Sequence, residues 1–204
     1  NERNSINYNY VYGYLAEINL NKLNDYAKAL EYYIKVGDAS AAREIGVMYL
    51  GGFGVEQDYA KALEWFEKSN NDFWIGYMYQ EGLGVEQDYA KAKEYYEKDY
   101  EQGPNTYTMY WVRSFLGEMY YYGLGVEQDY VVAVEWFTKA SDLGNAEAQN
   151  ALGLCYYNGY GVEQDADKAL KLFTKAAEQG SSDAQNTIGL FYYNALDVEN
   201  NYVL

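Results

Sequence analysis

Histidine is absent from the 204 residues, cysteine and proline occur once each (Cys155 and Pro104), and 15 basic residues face 31 acidic ones. Each shortage closes off a class of function. Without histidine, Ser-His and Cys-His nucleophilic catalysis and nearly every common zinc site are excluded. One cysteine cannot build an internal disulfide framework, and its flanks (Leu152, Leu154 and Tyr156) read it as a small hydrophobe in a packed helix. A formal net charge of −16 opposes phosphate-backbone binding and docking on anionic membranes, both of which need clustered Lys and Arg. A basic partner, or one held without net electrostatics, fits this balance better. No run of eighteen apolar residues exists to suggest a membrane-spanning helix. A chain that opens at Asn1 and ends in mid-repeat at Leu204 is expected to be cut from a longer one, so no compartment is read from it.

What the chain has in abundance is self-similarity. One phrase recurs as GGFGVEQDYAKAL (51–63), EGLGVEQDYAKAK (81–93), YGLGVEQDYVVAV (122–134) and GYGVEQDADKAL (159–170). Its valines, Val55, Val85, Val126 and Val162, are spaced by 30, 41 and 36 residues. A degenerate copy, KLNDYAKAL (22–30), precedes them, and a worn one, ALDVENNYVL (195–204), follows. Periods of this size belong to stacks of supersecondary units, none of which can bury its apolar face alone.

Each unit reads as helix A, a tight turn and helix B. In the cleanest copy, Ala148, Ala151, Leu152, Cys155 and Tyr156 follow the three-four spacing of one helix face. Asn145 suits an N-cap, and Gly159 and Gly161 end the helix because glycine tolerates the left-handed backbone such a stop uses. Val162 plugs the turn, and Asp165 caps helix B, whose apolar residues include Ala169, Leu172, Phe173 and Ala176. A glycine recurs inside helix A at Gly46, Gly76, Gly117, Gly153 and Gly189, where it costs up to ~1 kcal/mol against alanine. Close approach of helix B through Ala62, Ala92, Ala133 and Ala169 is the expected compensation. The helix-B pairs Tyr32-Tyr33, Trp65-Phe66, Tyr95-Tyr96 and Trp136-Phe137 are expected to fill the space between neighbouring hairpins.

Leu152-Gly153, Tyr156, Gly159, Gly161, Val162, Asp165, Lys168-Ala169 and Lys175-Ala176 together resemble the Sel-one-like repeat, a relative of the tetratricopeptide repeats. The resemblance extends from about residue 6 to the C-terminus. It implies an all-α, right-handed α/α solenoid: a single array over 1–204 with units near 5–38, 39–70, 71–103, 104–144, 145–180 and a partial 181–204. It also implies a scaffold or adaptor that holds a protein or peptide on a concave surface of A helices, with no cofactor, no metal and no catalysis. The paired cysteines that lock each hairpin in some secreted members are missing. The spacing of 30 predicts that helix B or the next helix A is shortened between Trp65 and Gly76, and the spacing of 41 predicts an insertion over 98–115.

Among 27 tyrosines, those outside the repeat pattern are candidates for partner binding, because tyrosine offers a large contact area with a polar tip. They are Tyr77, Tyr107, Tyr110, Tyr121, Tyr122, Tyr157 and Tyr193, with Trp111 and Arg113 joining the insertion's group. Packing between repeats is the competing explanation for each. Exposed aromatic rings could also stack on sugars, so a carbohydrate-binding or extracellular docking module is a second reading. The Glu-Gln-Asp turns lack the dense alternating oxygen ligands of a calcium loop and read as solvated caps.

Overall fold

The computed structural model describes residues 8–103 and 109–201. Among them are eleven α-helices and no strand, the content of an all-α repeat solenoid. In chain order these are α1 (Tyr8–Ile18), α2 (Tyr26–Val36), α3 (Ala39–Gly51), α4 (Tyr59–Lys68), α5 (Asp72–Glu81) and α6 (Tyr89–Glu101). Then follow α7 (Met109–Tyr122), α8 (Tyr130–Ser141), α9 (Ala146–Asn158), α10 (Ala166–Glu178) and α11 (Ser182–Asn201). Odd-numbered helices are the A helices and even-numbered ones the B helices. The chain divides into two compact units, one running to Asp99 and the other from Tyr100.

The turn between A and B is built by three residue types acting together. At the end of α9, Gly159 adopts φ +74° and its N–H donates to the Cys155 carbonyl. Gly161 follows at φ +68°, and the Asp165 N–H donates to the Tyr156 carbonyl at 2.9 Å. Asp165 Oδ1 then accepts the Lys168 N–H at 2.9 Å, capping α10. Gln164 closes the arrangement by donating Nε2 to the Tyr157 carbonyl at 2.7 Å. Gln57, Gln87 and Gln128 donate in the same way to Leu50, Gln80 and Tyr121. Glutamine recurs between Glu and Asp because it satisfies a carbonyl that the end of the A helix leaves open. The first hairpin makes its turn differently. A π-helical turn, Asn19–Leu23, ends at Asn24 in the left-handed conformation, and Asp25 caps α2.

The mid-helix glycines do make room for helix B, but for its rings rather than its alanines. A Cβ placed on Gly46 would lie 2.5 Å from Phe66 Cε1, and one on Gly153 would lie 2.5 Å from Phe173 Cε1. At Gly117 the nearest atom is Phe137 Cδ1 at 2.6 Å, and at Gly76 it is Tyr96 Cε1 at 2.8 Å. Each ring stands 20 positions after its glycine. Only at Gly76 does an alanine figure, through the Ala92 carbonyl at 3.2 Å. Phe66, Tyr96, Phe137 and Phe173 are fully buried as a result.

The aromatic pairs also reach neighbouring hairpins, as expected: Phe66 stacks on Trp74 of the next hairpin at 5.4 Å, and Tyr95 packs against the cluster of Ala62, Phe66, Ile75 and Met78. The first ring of each pair lies half-buried, and a lysine three residues on covers it. Lys35 covers Tyr32, Lys68 covers Trp65, Lys98 covers Tyr95 and Lys139 covers Trp136, at 4.1–5.2 Å from the ring centroid. Such contacts add about 0.5–1 kcal/mol each at exposed sites.

The spacing calls for one shortened helix, and the shortening is shared by both that flank it. α4 and α5 have 10 residues each, against 13 in α9 and α10. Asn70, at φ +50°, turns the chain between them, and the Asn71 side chain caps α5. In the longer spacing, α6 runs to Glu101 and α7 begins at Met109 with 14 residues.

Candidate functional site

The acidic turn edge is occupied by structural work. Asp25, Asp58 and Asp165 each cap a B helix and pair with the lysine three residues on, at 3.0–3.3 Å. Lys61 and Lys168 sit at the same time over Tyr49 and Tyr156 of the A helix, 5.4 and 5.2 Å from the ring centroids. Among the described residues, no group of three or more Asp, Glu or Cys side chains is placed to hold a metal ion.

These bonds hold the caps' carboxyls below their ordinary value of 3.8. The cause is chiefly the backbone N–H of Lys61 or Lys168 for Asp58 and Asp165, and the Lys28 side chain for Asp25. A depressed folded pKa adds stability above the unfolded pKa, and this stability is lost as pH falls through the folded value. Tm is therefore expected to hold from neutral pH to about 5 and to fall below about 4. Replacing Asp25, Asp58 and Asp165 with Asn keeps the caps but flattens that acid limb, as a thermal melt series across pH will read.

The candidate tyrosines fall into distinct settings. Tyr77, on α5, is half-buried and lies edge-on to Trp74 at 5.7 Å, with its phenol pushed up by burial. Tyr107 lies outside the described residues. Tyr110 and Trp111 pack on each other at 5.2 Å, and Trp111 stacks on Phe115 at 6.2 Å. Arg113 turns back within its own unit, its guanidinium 5.4 Å from the Tyr100 ring, and its Nε is buried without a hydrogen-bond partner. Tyr121 is embedded among Tyr122, Tyr130, Phe137 and Tyr160, at 4.8–6.2 Å, and burial pushes its phenol up to about 12. Tyr157 is half-buried against Phe191 at 5.6 Å. Tyr122 and Tyr193 stand out, 64% and 69% exposed.

Two of these residues are brought together in a groove of about 200 Å³ on the A-helix side of the second unit. Tyr121 and Tyr122 of α7 form one wall, with Glu118 one turn earlier; Glu147, Asn150 and Leu154 of α9 form the other, and Asp183 of α11 closes one end. Three carboxylates and no cation line it. Asn150 Oδ1 is buried without a hydrogen-bond partner. The wall is therefore rich in acceptors and aromatic faces, the surface that a Lys or Arg side chain satisfies. The sequence reading missed Glu118, Glu147, Asn150 and Asp183. Their signal was register: Glu118 and Leu154 each follow the A-helix glycine, the same position that Tyr77 fills in α5.

A second hollow, of about 410 Å³, lies in the first unit between α1 and the start of α3, lined by Tyr10, Tyr14, Glu17, Tyr33 and Asp38 among others. Tyr10 and Tyr14 are 76% and 58% exposed. Neither was singled out from sequence, because the first copy of the repeat is too worn to show its A-helix register.

Cys155 is fully buried in the cluster of Ala133, Phe137, Ala148 and Leu152, and burial pushes its thiol up to about 11. At pH 8 it is expected not to react with a thiol reagent such as DTNB in the native chain, and to release one equivalent on unfolding in urea.

A family model for the Sel1 repeat matches residues 8–36, 39–71, 73–104, 114–145 and 146–181. Among solved structures, the chain is similar to c5321, a protective antigen of uropathogenic Escherichia coli with an SLR fold, at 35% identity and a TM-score of 0.80. That match covers 93% of this chain and 42% of the antigen, so the chain spans less than half of that protein's length. It is also similar to a Sel1 repeat protein from Oxalobacter formigenes, at 29% identity and a TM-score of 0.79, over 88% of this chain and 74% of that one. No curated protein matches the sequence.

Proposed function

The chain belongs to the Sel1 repeat family, and we propose that it is a non-enzymatic scaffold that holds a protein or peptide partner on the A-helix surface of its second unit. Sel1 repeat proteins generally serve as scaffolds for protein–protein interaction. The observation that carries the finer reading is the groove between α7 and α9, with Tyr121 and Tyr122 beside Glu118, Glu147 and Asp183. Its aromatic walls supply contact area with few rotatable bonds, and its carboxylates favour a segment bearing Lys or Arg. Rigid α-helices hold both walls, so little ordering entropy is lost when a partner enters.

Tyr122, Glu147 and Asp183 are exposed, so they can be replaced without disturbing the core. Immobilised chain is expected to retain a protein from a lysate of the organism that encodes it. The combination Tyr122→Ala, Glu147→Gln and Asp183→Asn should lose that protein, and added salt should weaken its retention. Retention that survives the triple substitution moves the site elsewhere. Retention on a glycan array with no protein recovered overturns the reading in favour of sugar binding.

A further inference from the structure

Every B helix but the last begins on a tyrosine: Tyr26, Tyr59, Tyr89 and Tyr130. The residue between the two turn glycines varies, being Phe53, Leu83, Leu124 and Tyr160. Stacking of hairpins brings these two positions together. A Cβ on Gly54 would lie 2.5 Å from the Tyr26 carbonyl carbon, one on Gly84 2.9 Å from that of Tyr59, and one on Gly161 2.4 Å from that of Tyr130. Backbone contact thus holds the first residue of a B helix against the turn of the next hairpin. At the first of these junctions Tyr26 meets Phe53, with ring centroids 5.6 Å apart and planes tilted by 36°. At the Gly161 junction Tyr130 stacks on Tyr160 at 4.8 Å, with 14° between the planes. Tyr160 is the only tyrosine among the four residues between turn glycines, so two phenols face each other at this junction alone.

The stacked pairs Tyr12–Tyr32 and Tyr79–Tyr95 are wider, at 6.1 and 5.8 Å. An ammonium group also lies over each of their rings: Lys35 over Tyr12 and Tyr32, Lys91 over Tyr79, and Lys98 over Tyr95. A cation there opposes removal of an electron from the phenol, because it repels the positive charge left behind. Among the described residues the other cations over rings are Lys61, Lys68, Lys139, Lys168 and Arg113, and none covers Tyr130 or Tyr160. Tyr121 lies 5.3 Å from Tyr130 but at 69° to it, so their ring carbons do not run alongside. Tyr160 is 38% exposed and Tyr130 half-buried, which leaves the pair open to an oxidant. With one cysteine the chain has no disulfide to fasten one hairpin to the next.

We propose that Tyr130 and Tyr160 form an oxidative cross-linking site, joined by a dityrosine bond when the chain meets a haem peroxidase and hydrogen peroxide. Each phenol gives up one electron and its hydroxyl proton, leaving two phenoxyl radicals that share their spin with the ring carbons beside the oxygen. One such Cε of each ring forms the new carbon–carbon bond. The hydrogen on each joined carbon then passes through solvent to its own oxygen, restoring both phenols. One hydrogen peroxide takes up the two electrons and two protons and becomes two waters. The bond fastens α8 to the hairpin that follows it. Tyr122, Glu147 and Asp183 take no part, so this site and partner binding are tested by different substitutions.

The test treats dilute full chain with a haem peroxidase and hydrogen peroxide. A monomer lighter by two hydrogens and fluorescing as dityrosine is expected. Tandem mass spectrometry of its tryptic digest should join segment 114–139 to segment 140–168 through Tyr130 and Tyr160. The linked chain should melt about 5–10 °C above the untreated one, because the link restricts its unfolded state. Tyr160→Phe keeps a ring in the turn, as Phe53 does, and should abolish the link. Tyr130→Phe should do the same, and oxidation of the urea-unfolded chain should show no preference for the pair. The proposal is overturned by the absence of a link within the chain, by a link through other tyrosines or one that survives Tyr160→Phe, or by a linked chain that melts no higher.

Discussion

Replacing Gly161 with alanine is expected to lower the melting temperature by about 10 °C, the largest effect of any single-methyl change in the turn. Two costs combine. A residue with a side chain at φ +68° carries about 1–2 kcal/mol of backbone strain. The added Cβ would also lie 2.3 Å from the Tyr130 carbonyl oxygen and 2.4 Å from its carbon. Those atoms begin α8 in the preceding hairpin and cannot rotate away as a side chain could, so the hairpins must part. A total of at least about 3 kcal/mol follows, and a domain of this size loses about 2–4 °C per kcal/mol. Gly159→Ala is the control. Its φ is +74°, but its nearest neighbour is Gln164 Cβ at 3.5 Å, so it should show the strain alone. The difference between the two melting temperatures isolates the stacking contact.

The second large effect concerns the ring and its seat. Phe173→Ala should cost about 3–5 kcal/mol, because a fully buried ring leaves a cavity behind it. Gly153→Ala should cost about 1–2 kcal/mol, the overpacking against Phe173 outweighing the gain in helix propensity. Combined, they should cost less than their sum by about 1 kcal/mol or more, since the alanine methyl then enters vacated space. Gly189→Ala should instead raise stability by up to about 1 kcal/mol, as the gain in propensity meets no ring. Urea denaturation of the four variants tests the set. A destabilising Gly189→Ala would mean that its seat is already filled.

The contrast between Gly153 and Gly189 also shows what could be read from residues alone. The hairpin order, the caps at Asp165 and Asn145, the left-handed stop at Gly159 and a shortening between Trp65 and Gly76 were legible, because each follows from local backbone chemistry or from spacing. The compensation for the mid-helix glycines was not, because Gly153 meets a residue 20 positions away, and spacing could not choose between Ala169 and Phe173. Gln164 was overlooked for a related reason: its bond to the Tyr157 carbonyl closes a turn whose geometry exists only once both helices are in place. Tyr121 read as surplus to the repeat but lies embedded among four other rings, whereas Tyr122, its neighbour, is largely exposed. Composition revealed the excess of tyrosine, and only the packing separated those that serve the fold from those left at the surface.

Hydrogen–deuterium exchange on the chain with and without its captured partner tests the central claim most directly. The account predicts slowed exchange in the A-helix segments around 118–122 and 147–154, together with protection of the 181–183 turn, and little change along α8 and α10. Protection confined to the B helices, with the α7–α9 groove exchanging as in the free chain, would contradict it.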